Sequence, residues 1–271
     1  RTGIVAKVSN FLTTYNGWIT EASYHADQKN GWFFMRNEIK PSSLPFDLAG
    51  FKAAFAPIAT EFSMNWTVTD SAQKPRVVLM ASKESHCLAD LLHRWHSNEL
   101  DAEIVAVIAN HEDLRRMVDW HDIPYHCVSI NKENKAAAFA EIESLVDGYD
   151  TDLVVLARYM QILPAGLCER YAGRVINIHH SFLPSFAGAK PYHQAYDRGV
   201  KLIGATCHYV TQDLDEGPII DQDVIRISHS NTIEDMVRLG KDAEKTVLAR
   251  GVRLHLEGRV IIHENKTVVF D

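Results

Sequence analysis

The residues best suited to chemistry lie in residues 175–188, VINIHHSFLPSFAG. The segment begins with β-branched apolar residues, which predict the end of a buried strand. Residues two apart on a strand point to the same side, so Asn177 and His179 should face one side while Ile178 points into the core. An amide donor beside an imidazole at a strand end indicates a site that polarises a carbonyl group.

A carboxylate from a second segment would complete this set. Residues 203–210 alternate as a half-buried strand, and the polar loop that follows contains Asp213, Asp215 and Glu216. Asp215 could act as a general base, although a solvated turn aspartate is the alternative. Asn177 could likewise be a turn residue, and His179 a strand-end histidine satisfied by the backbone.

A metal site is a further interpretation of this region, since His179, His180 and Asp215 are all potential ligands. No HExxH pattern and no pair of histidines at helical spacing supports it. We therefore predict that the site holds no metal.

From residue 76 onward, predicted strands alternate with predicted helices. This order indicates an α/β fold of the doubly wound type, with a mostly parallel sheet and helices on both faces. Such sheets bind ligands at the carboxyl ends of their strands. We expect Asn177, His179 and the loop after Val210 at those ends. A long amphipathic helix over residues 232–256 and a closing hairpin complete the predicted unit.

The two segments INIHHSFLPSF and HYVTQDLDEGPII resemble the folate-dependent formyltransferase and hydrolase family. This family uses a catalytic asparagine, histidine and aspartate. The resemblance assigns these roles to Asn177, His179 and Asp215, and it covers roughly residues 75–270. It implies that Asn177 donates to the oxyanion. It also implies that His179 binds the formyl oxygen or protonates the leaving nitrogen N10, and that Asp215 holds the water.

The resemblance also implies a folate pocket around the loop over residues 157–164, ARYMQILP. In the family, this loop binds the pterin through backbone amides and apolar side chains. The residues carried over as folate-binding are Met160, Gln161, Leu163, Val175 and Leu214. Many relatives have arginine where Gln161 stands. A plain apolar loop is the alternative interpretation.

The loop after the first strand of the sheet indicates the acceptor. In relatives that formylate glycinamide ribonucleotide this loop is glycine-rich and binds phosphate through its backbone, whereas no glycine occurs here between Arg76 and Asn134. Relatives that formylate methionyl-tRNA usually carry a further basic C-terminal domain. The simplest acceptor is water, as in the formyltetrahydrofolate deformylase family, which the chain resembles over its whole length. The resemblance implies hydrolysis of 10-formyltetrahydrofolate to formate and tetrahydrofolate, with no tightly bound cofactor and with formate supplied to purine biosynthesis.

Two other functions stay open. The chain could transfer the formyl group to a small amine, or it could be a non-catalytic regulator that responds to an amino acid. Formate release in the absence of any amine would separate hydrolysis from both.

Residues 1–70 predict a separate domain with the order helix, strand, strand, helix, strand, the last strand over residues 63–69. This is the ferredoxin-like βαββαβ pattern without its first strand. The start, RTGIV, resembles the opening of an ACT domain, which implies an upstream strand and aspartate. Such domains bind a small amino-acid effector or serve only to dimerise, and both remain open. A polar linker separates this domain from the catalytic domain, residues 75–271, and we expect a homo-oligomer, either a dimer or a tetramer.

The composition excludes several classes of partner. Among 271 residues, 46% are hydrophobic and 23% charged, and the net charge is −7. An acidic chain lacks the overall basic character of proteins that grip nucleic-acid phosphates. We expect no membrane span and no signal peptide. The four cysteines form no CxxC pair, so we interpret them as buried thiols in a cytoplasmic protein.

Overall fold

The computed structural model describes residues 2–185 and 191–270 of the chain. It divides into two compact units, with the boundary between Gln73 and Lys74. This boundary lies in the polar segment that the sequence predicts as a linker. Each unit has its own hydrophobic core.

The N-terminal unit contains two helices and a hairpin. Its elements are α1 (Ile4–Thr14), β1 (Ile19–Asp27), β2 (Trp32–Ile39), a 3₁₀ turn (Pro41–Ser43) and α2 (Leu48–Phe62). Helix α1 buries Val8, Phe11 and Leu12, as its apolar spacing predicts. Phe11 packs edge-on against Phe51 and Phe55 of α2, with ring centroids 5.6 and 5.4 Å apart. These aromatic contacts form the centre of the unit's core.

The third strand predicted over residues 63–69 is wrong. The alternation behind the prediction is present, because Met64, Trp66 and Val68 are half-buried against the core. However, the sheet of this unit contains only β1 and β2 among the described residues. An alternating segment becomes a strand only when a neighbour supplies ladder hydrogen bonds, and this segment pairs with no strand among the described residues.

The C-terminal unit is built on one seven-stranded sheet. Its strands are β3 (Arg76–Ala81), β4 (Glu103–Ala109), β5 (Tyr125–Cys127), β6 (Leu153–Leu156), β7 (Val175–His179), β8 (Leu202–Tyr209) and β9 (Ile219–Arg226). The spatial order is β5-β4-β3-β6-β7-β8-β9. The first five strands in this order, from β5 through β4, β3 and β6 to β7, are parallel to one another. Strands β8 and β9 are each antiparallel to the strand before them. The predicted α/β fold with a mostly parallel sheet is therefore confirmed.

Helices cover both faces of the sheet, as predicted. They are α3 (His86–His96), α4 (Arg115–Asp119), α5 (Lys135–Gly148), α6 (Ala165–Arg170), α7 (Pro191–Arg198) and α8 (Ile233–Leu256). Helices α3 and α8 pack on one face through residues such as Leu91 and Val247. Helices α5 and α6 pack on the other through residues such as Phe139 and Leu167. The hairpin of β10 (Val260–His263) and β11 (Lys266–Val269) follows α8.

Two elements of the C-terminal unit, β9 and α7, are missing from the sequence-based prediction. Strand β9 lies beyond β8, and Ile220 is its only fully buried residue, so its apolar alternation is weak. Helix α7 has only eight residues and a largely polar sequence. Among the described residues, no helix is both long and apolar enough to cross a bilayer.

Candidate active site

Strand β7 presents two polar side chains on one face of the sheet. Ile176 and Ile178 point into the core between the sheet and helices α3 and α8. Asn177 and His179 therefore point to the opposite face. The neighbouring strand β8 places His208 directly opposite Asn177, so the His208 side chain lies on that face as well.

The loop that carries Asp215 lies elsewhere than predicted. Because β8 runs antiparallel to β7, this loop leaves β8 beside the amino end of β7, where Val210 N donates to Val175 O at 2.9 Å. The loop starts at the carboxyl end of β8, as expected, but this end lies at the opposite edge of the sheet from the carboxyl ends of the parallel strands. The loop then folds back, and Tyr209 N donates to Pro218 O at 2.9 Å. Asp215 adopts a left-handed backbone with φ 59° and extends its side chain over β7.

Asp215 and His179 form a close pair. Nδ1 of His179 lies 3.3 Å from Oδ1 of Asp215, and both side chains are largely buried. The hydrogen bond with His179 is the main reason that the pKa of Asp215 lies below its ordinary value, although burial opposes this effect. Nε2 of His179 is buried and has no hydrogen-bond partner among the described residues. The pair therefore holds an ionised carboxylate against an imidazole whose second nitrogen is available to a ligand.

His208 orients the amide of Asn177. Nδ1 of His208 lies 2.9 Å from the carbonyl oxygen of Tyr209, so it must donate its proton there. Nε2 is then the acceptor for Nδ2 of Asn177 at 3.2 Å. Burial lowers the pKa of His208, which agrees with this neutral form. The second N–H of Asn177 remains available to a substrate oxygen.

The residues predicted to bind folate fall into two groups. Met160 and Leu214 have exposed side chains, 56% and 60% accessible, which a ligand could cover. Leu163 packs partly into the core beside α5 and α6, and Gln161 is half-buried. The side chain of Val175 is buried in the same core, so it does not face solvent. Their roles in folate binding stay predictions.

The structure also shows a buried carboxylate that the sequence analysis missed. Glu244 on α8 is only 1% exposed, and its oxygens lie 2.7 Å from His86 Nε2 and 2.7 Å from the Tyr192 hydroxyl. Arg158 Nε lies 3.3 Å away. The signal was present in the sequence, because Glu244 stands at an inward position of the helical repeat, beside Ala243 and ahead of Val247.

A cavity of about 370 Å³ lies next to this cluster. Residues of β8, α7 and the segment after β7 line it, including His180, Tyr192 and Gly204. Its described lining contains neither Asn177, His179 nor Asp215. Residues 186–190, which include the last three residues of the stretch over 175–188, lie outside the described residues.

A family model described as formyl transferase matches residues 75–252, which include the sheet, Asn177, His179, Asp215 and Glu244. The chain belongs to this formyl transferase family. Over its full length, it is 47% identical to the formyltetrahydrofolate deformylase of Bacillus subtilis, covering 99% of this chain and 90% of that protein. Within the family the chain belongs to the formyltetrahydrofolate deformylases.

Solved structures agree with this placement. The crystal structure of a formyltetrahydrofolate deformylase from Pseudomonas syringae is 70% identical, with a TM-score of 0.99 over 100% of this chain and 91% of that one. A glycinamide ribonucleotide transformylase from Symbiobacterium toebii is 27% identical, with a TM-score of 0.67 over 77% of this chain and 99% of that one. The same sheet therefore occurs in proteins named for a different acceptor.

Proposed function

We propose that the chain hydrolyses 10-formyltetrahydrofolate to formate and tetrahydrofolate. One observation carries this proposal. On one face of β7 and β8, the structure brings together the Asn177 amide, the His179 imidazole with its unpartnered Nε2, and the ionised Asp215 carboxylate. The chain that carries this site is 42–47% identical to proteins named formyltetrahydrofolate deformylase. A bare carboxylate beside an imidazole can move a proton, and an N–H donor can stabilise an oxyanion.

The proposed reaction begins with water. Its oxygen forms a bond to the formyl carbon, while the Asp215 carboxylate takes one of its protons. The formyl oxygen becomes an oxyanion and accepts a hydrogen bond from the free N–H of Asn177. When the bond from carbon to N10 breaks, its electron pair stays on N10, which takes the Nε2 proton of His179 in its imidazolium form, while Nδ1–H continues to donate to Asp215. Asp215 then releases its proton to solvent and Nε2 of His179 takes one from solvent, which restores both groups. The second proton of water is lost when formic acid ionises.

In the same proposal, the folate binds against the exposed side chains of Met160 and Leu214. Leu214 precedes Asp215 directly, so a pterin that covers it would lie beside the carboxylate. Gln161, Leu163 and the backbone of Val175 complete the proposed binding set. We expect no tightly bound cofactor.

The test is a reaction with 10-formyltetrahydrofolate in buffer that contains no amine. We expect stoichiometric formate and tetrahydrofolate, measured by a formate dehydrogenase assay and by the absorbance of the folate. Formate that appears only at the uncatalysed rate, together with formylation of an added small amine, would instead establish the chain as a formyltransferase.

We further propose that the N-terminal unit is an ACT domain. Its helix–hairpin–helix order and its aromatic core support this proposal. It would either bind a small amino-acid effector or pair two copies of the chain as a dimer or tetramer. Calorimetry of the full chain with the twenty amino acids tests the first role, and light scattering tests the second. Four unpaired cysteines also support a reducing, cytoplasmic location.

A further inference from the structure

Glu244 is the centre of a buried cluster that the proposed mechanism does not use. Its carboxylate accepts hydrogen bonds from His86 Nε2 and the Tyr192 hydroxyl, each at 2.7 Å, and it faces Arg158 Nε at 3.3 Å. The side chains of His86 and Arg158 are 11% and 13% exposed. The carboxylate is therefore fully occupied by groups of the same chain.

These four residues come from four different segments. His86 begins α3 after the loop that follows β3, and Arg158 follows β6. Tyr192 lies in α7, and Glu244 lies in α8. The cluster thus fills the crevice at the carboxyl ends of β3 and β6, which is where open α/β sheets bind their ligands.

Packing around Tyr192 is tight. The ring lies against Gly240 of α8, where an added Cβ would stand 1.9 Å from the Tyr192 hydroxyl. Only glycine leaves room for the phenol at this position. A salt bridge from Lys241 to Glu84, 2.5 Å long, joins α8 to the loop before α3. Tyr192 also lines the neighbouring cavity of about 370 Å³, so it separates that cavity from Glu244.

A metal ion does not explain the cluster. His86, Cys87 and Glu244 do place potential ligand atoms within 4.8 Å of one another. However, the Glu244 oxygens already accept hydrogen bonds, and Arg158 supplies a positive charge at the same place. Burial also raises the pKa of the Cys87 thiol, so the thiolate that metal binding requires is disfavoured.

The cluster is close to the proposed active site. The rings of His179 and His180 have centroids 5.2 Å apart, and those of His180 and Tyr192 are 6.2 Å apart. Two ring contacts therefore connect Tyr192 to the imidazole of the proposed active site. A group that entered the crevice in place of the phenol would approach the same strand end.

We propose that the Glu244 cluster determines the acceptor: its side chains fill the crevice that an amine would enter, so that only water reaches the formyl carbon. This inference rests on the proposed hydrolysis. Steric exclusion of the wrong partner is a common source of specificity. A protein named for an amine acceptor, the glycinamide ribonucleotide transformylase, has a similar sheet.

The test opens the crevice by Tyr192→Ala and offers glycinamide as the probe. In transfer, the amine nitrogen bonds to the formyl carbon, the bond to N10 breaks, and N10 gains the proton that the amine loses. The readout is the ratio of formylglycinamide to formate at saturating 10-formyltetrahydrofolate. We expect Tyr192→Ala to raise this ratio by about tenfold or more over the unsubstituted chain.

Tyr192→Phe is the matched control, because it removes the hydroxyl and keeps the ring. Its ratio should stay within about twofold of that of the unsubstituted chain, since exclusion depends on volume. Gly240→Ala is a second route, because its methyl group would displace the phenol, and it should raise the ratio as well. An unchanged ratio in both opened variants, with hydrolysis retained, would overturn the proposal.

A second measurement needs no turnover. Cys87 is fully buried beside the cluster, so its labelling by a maleimide, followed by peptide mass spectrometry, reports whether the crevice is open. We expect labelling of Cys87 to be about tenfold faster in Tyr192→Ala than in Tyr192→Phe. Equal labelling rates would show that Tyr192 does not close the crevice. Faster labelling without formylglycinamide, in a variant that still hydrolyses, would also refute the proposal. Lack of hydrolysis in the unsubstituted chain would refute the proposed function itself, whatever the labelling result.

Discussion

Within the described residues, the largely buried carboxylates of Asp215 and Glu244 both lie beside histidines, and they are partnered differently. Asp215 is 14% exposed, and its contacts with His179 and His208 are 3.3 and 3.9 Å long. Glu244 is 1% exposed, with two hydrogen bonds of 2.7 Å and an arginine at 3.3 Å. The first pair leaves Nε2 of His179 unpartnered, whereas the second leaves neither carboxylate oxygen free.

This difference indicates two uses of the same chemical groups. A buried carboxylate whose oxygens both accept hydrogen bonds rigidifies the fold, and Glu244 meets this condition although His86 Nδ1 and Arg158 Nε beside it have no hydrogen-bond partner among the described residues. A buried nitrogen without a partner costs stability and is retained where a ligand completes its bonding. We therefore interpret Glu244 as a group that stabilises the fold and closes the crevice. We interpret Asp215 and His179 as the groups that transfer protons in the reaction. The substitutions below test this distinction in order of expected effect.

Asp215→Asn should have the largest effect. It removes the charge that holds His179 and takes the proton of water, so kcat should fall by about 10³-fold or more. The control is Asp213→Asn in the same loop, whose side chain is exposed, and its kcat should be close to that of the unsubstituted chain. Equal rates for the two variants, measured as formate release, would remove Asp215 from the mechanism.

Asn177→Ala should have the next largest effect. The substitution removes the N–H donor that the oxyanion requires, which typically costs about 2.7–4 kcal/mol, or about 10²- to 10³-fold in kcat. KM should change little, since the interaction strengthens in the transition state. A rise in KM at unchanged kcat would instead indicate a role in binding the ground state.

Glu244→Gln tests the other carboxylate. Loss of its charge leaves Arg158 buried without a counter-ion, and we expect a loss of about 3 kcal/mol in the free energy of unfolding. Glu143→Gln is the control, because Glu143 pairs with the exposed Arg170, and surface pairs contribute little. Urea denaturation of both variants measures the difference. Similar stabilities would show that the Glu244 network does not stabilise the fold.

Acid should weaken the fold through two half-buried histidines, His180 and His255. Burial lowers the pKa of both His180 and His255 from 6.5 to about 4. The unfolded chain therefore binds protons between these values that the folded chain does not. The stabilisation is complete above pH 6.5 and is lost as the pH falls toward 4. At pH 5 each histidine should cost about 2 kcal/mol.

The measurement compares urea unfolding at pH 7.5 and pH 5. His255→Gln removes the titrating group while keeping a polar side chain near the Tyr209 hydroxyl, which now lies 2.7 Å from His255 Nδ1. Its loss of stability between the two pH values should be smaller by about 2 kcal/mol. An unchanged pH dependence would show that His255 does not titrate in this range.

Local pattern was sufficient to predict most of the fold. Alternating strands and helices from residue 76 onward predict the parallel sheet, and the period-two placement of Asn177 and His179 predicts their common face. The third strand of the N-terminal unit shows the limit of such reasoning. Its alternation is present, but a strand also needs a neighbour, and the pattern of one segment contains no information about its neighbour.

The sequence by itself determined most of the elements that form and which side chains of β7 share a face, because these properties depend largely on residues close together in the chain. Only the tertiary structure decided which carboxylate meets which histidine. Asp215 reaches His179 because β8 runs antiparallel and its loop folds back, and Glu244 meets His86 across 158 positions of sequence. Such contacts depend on how the sheet and helices pack, so no local pattern contains them.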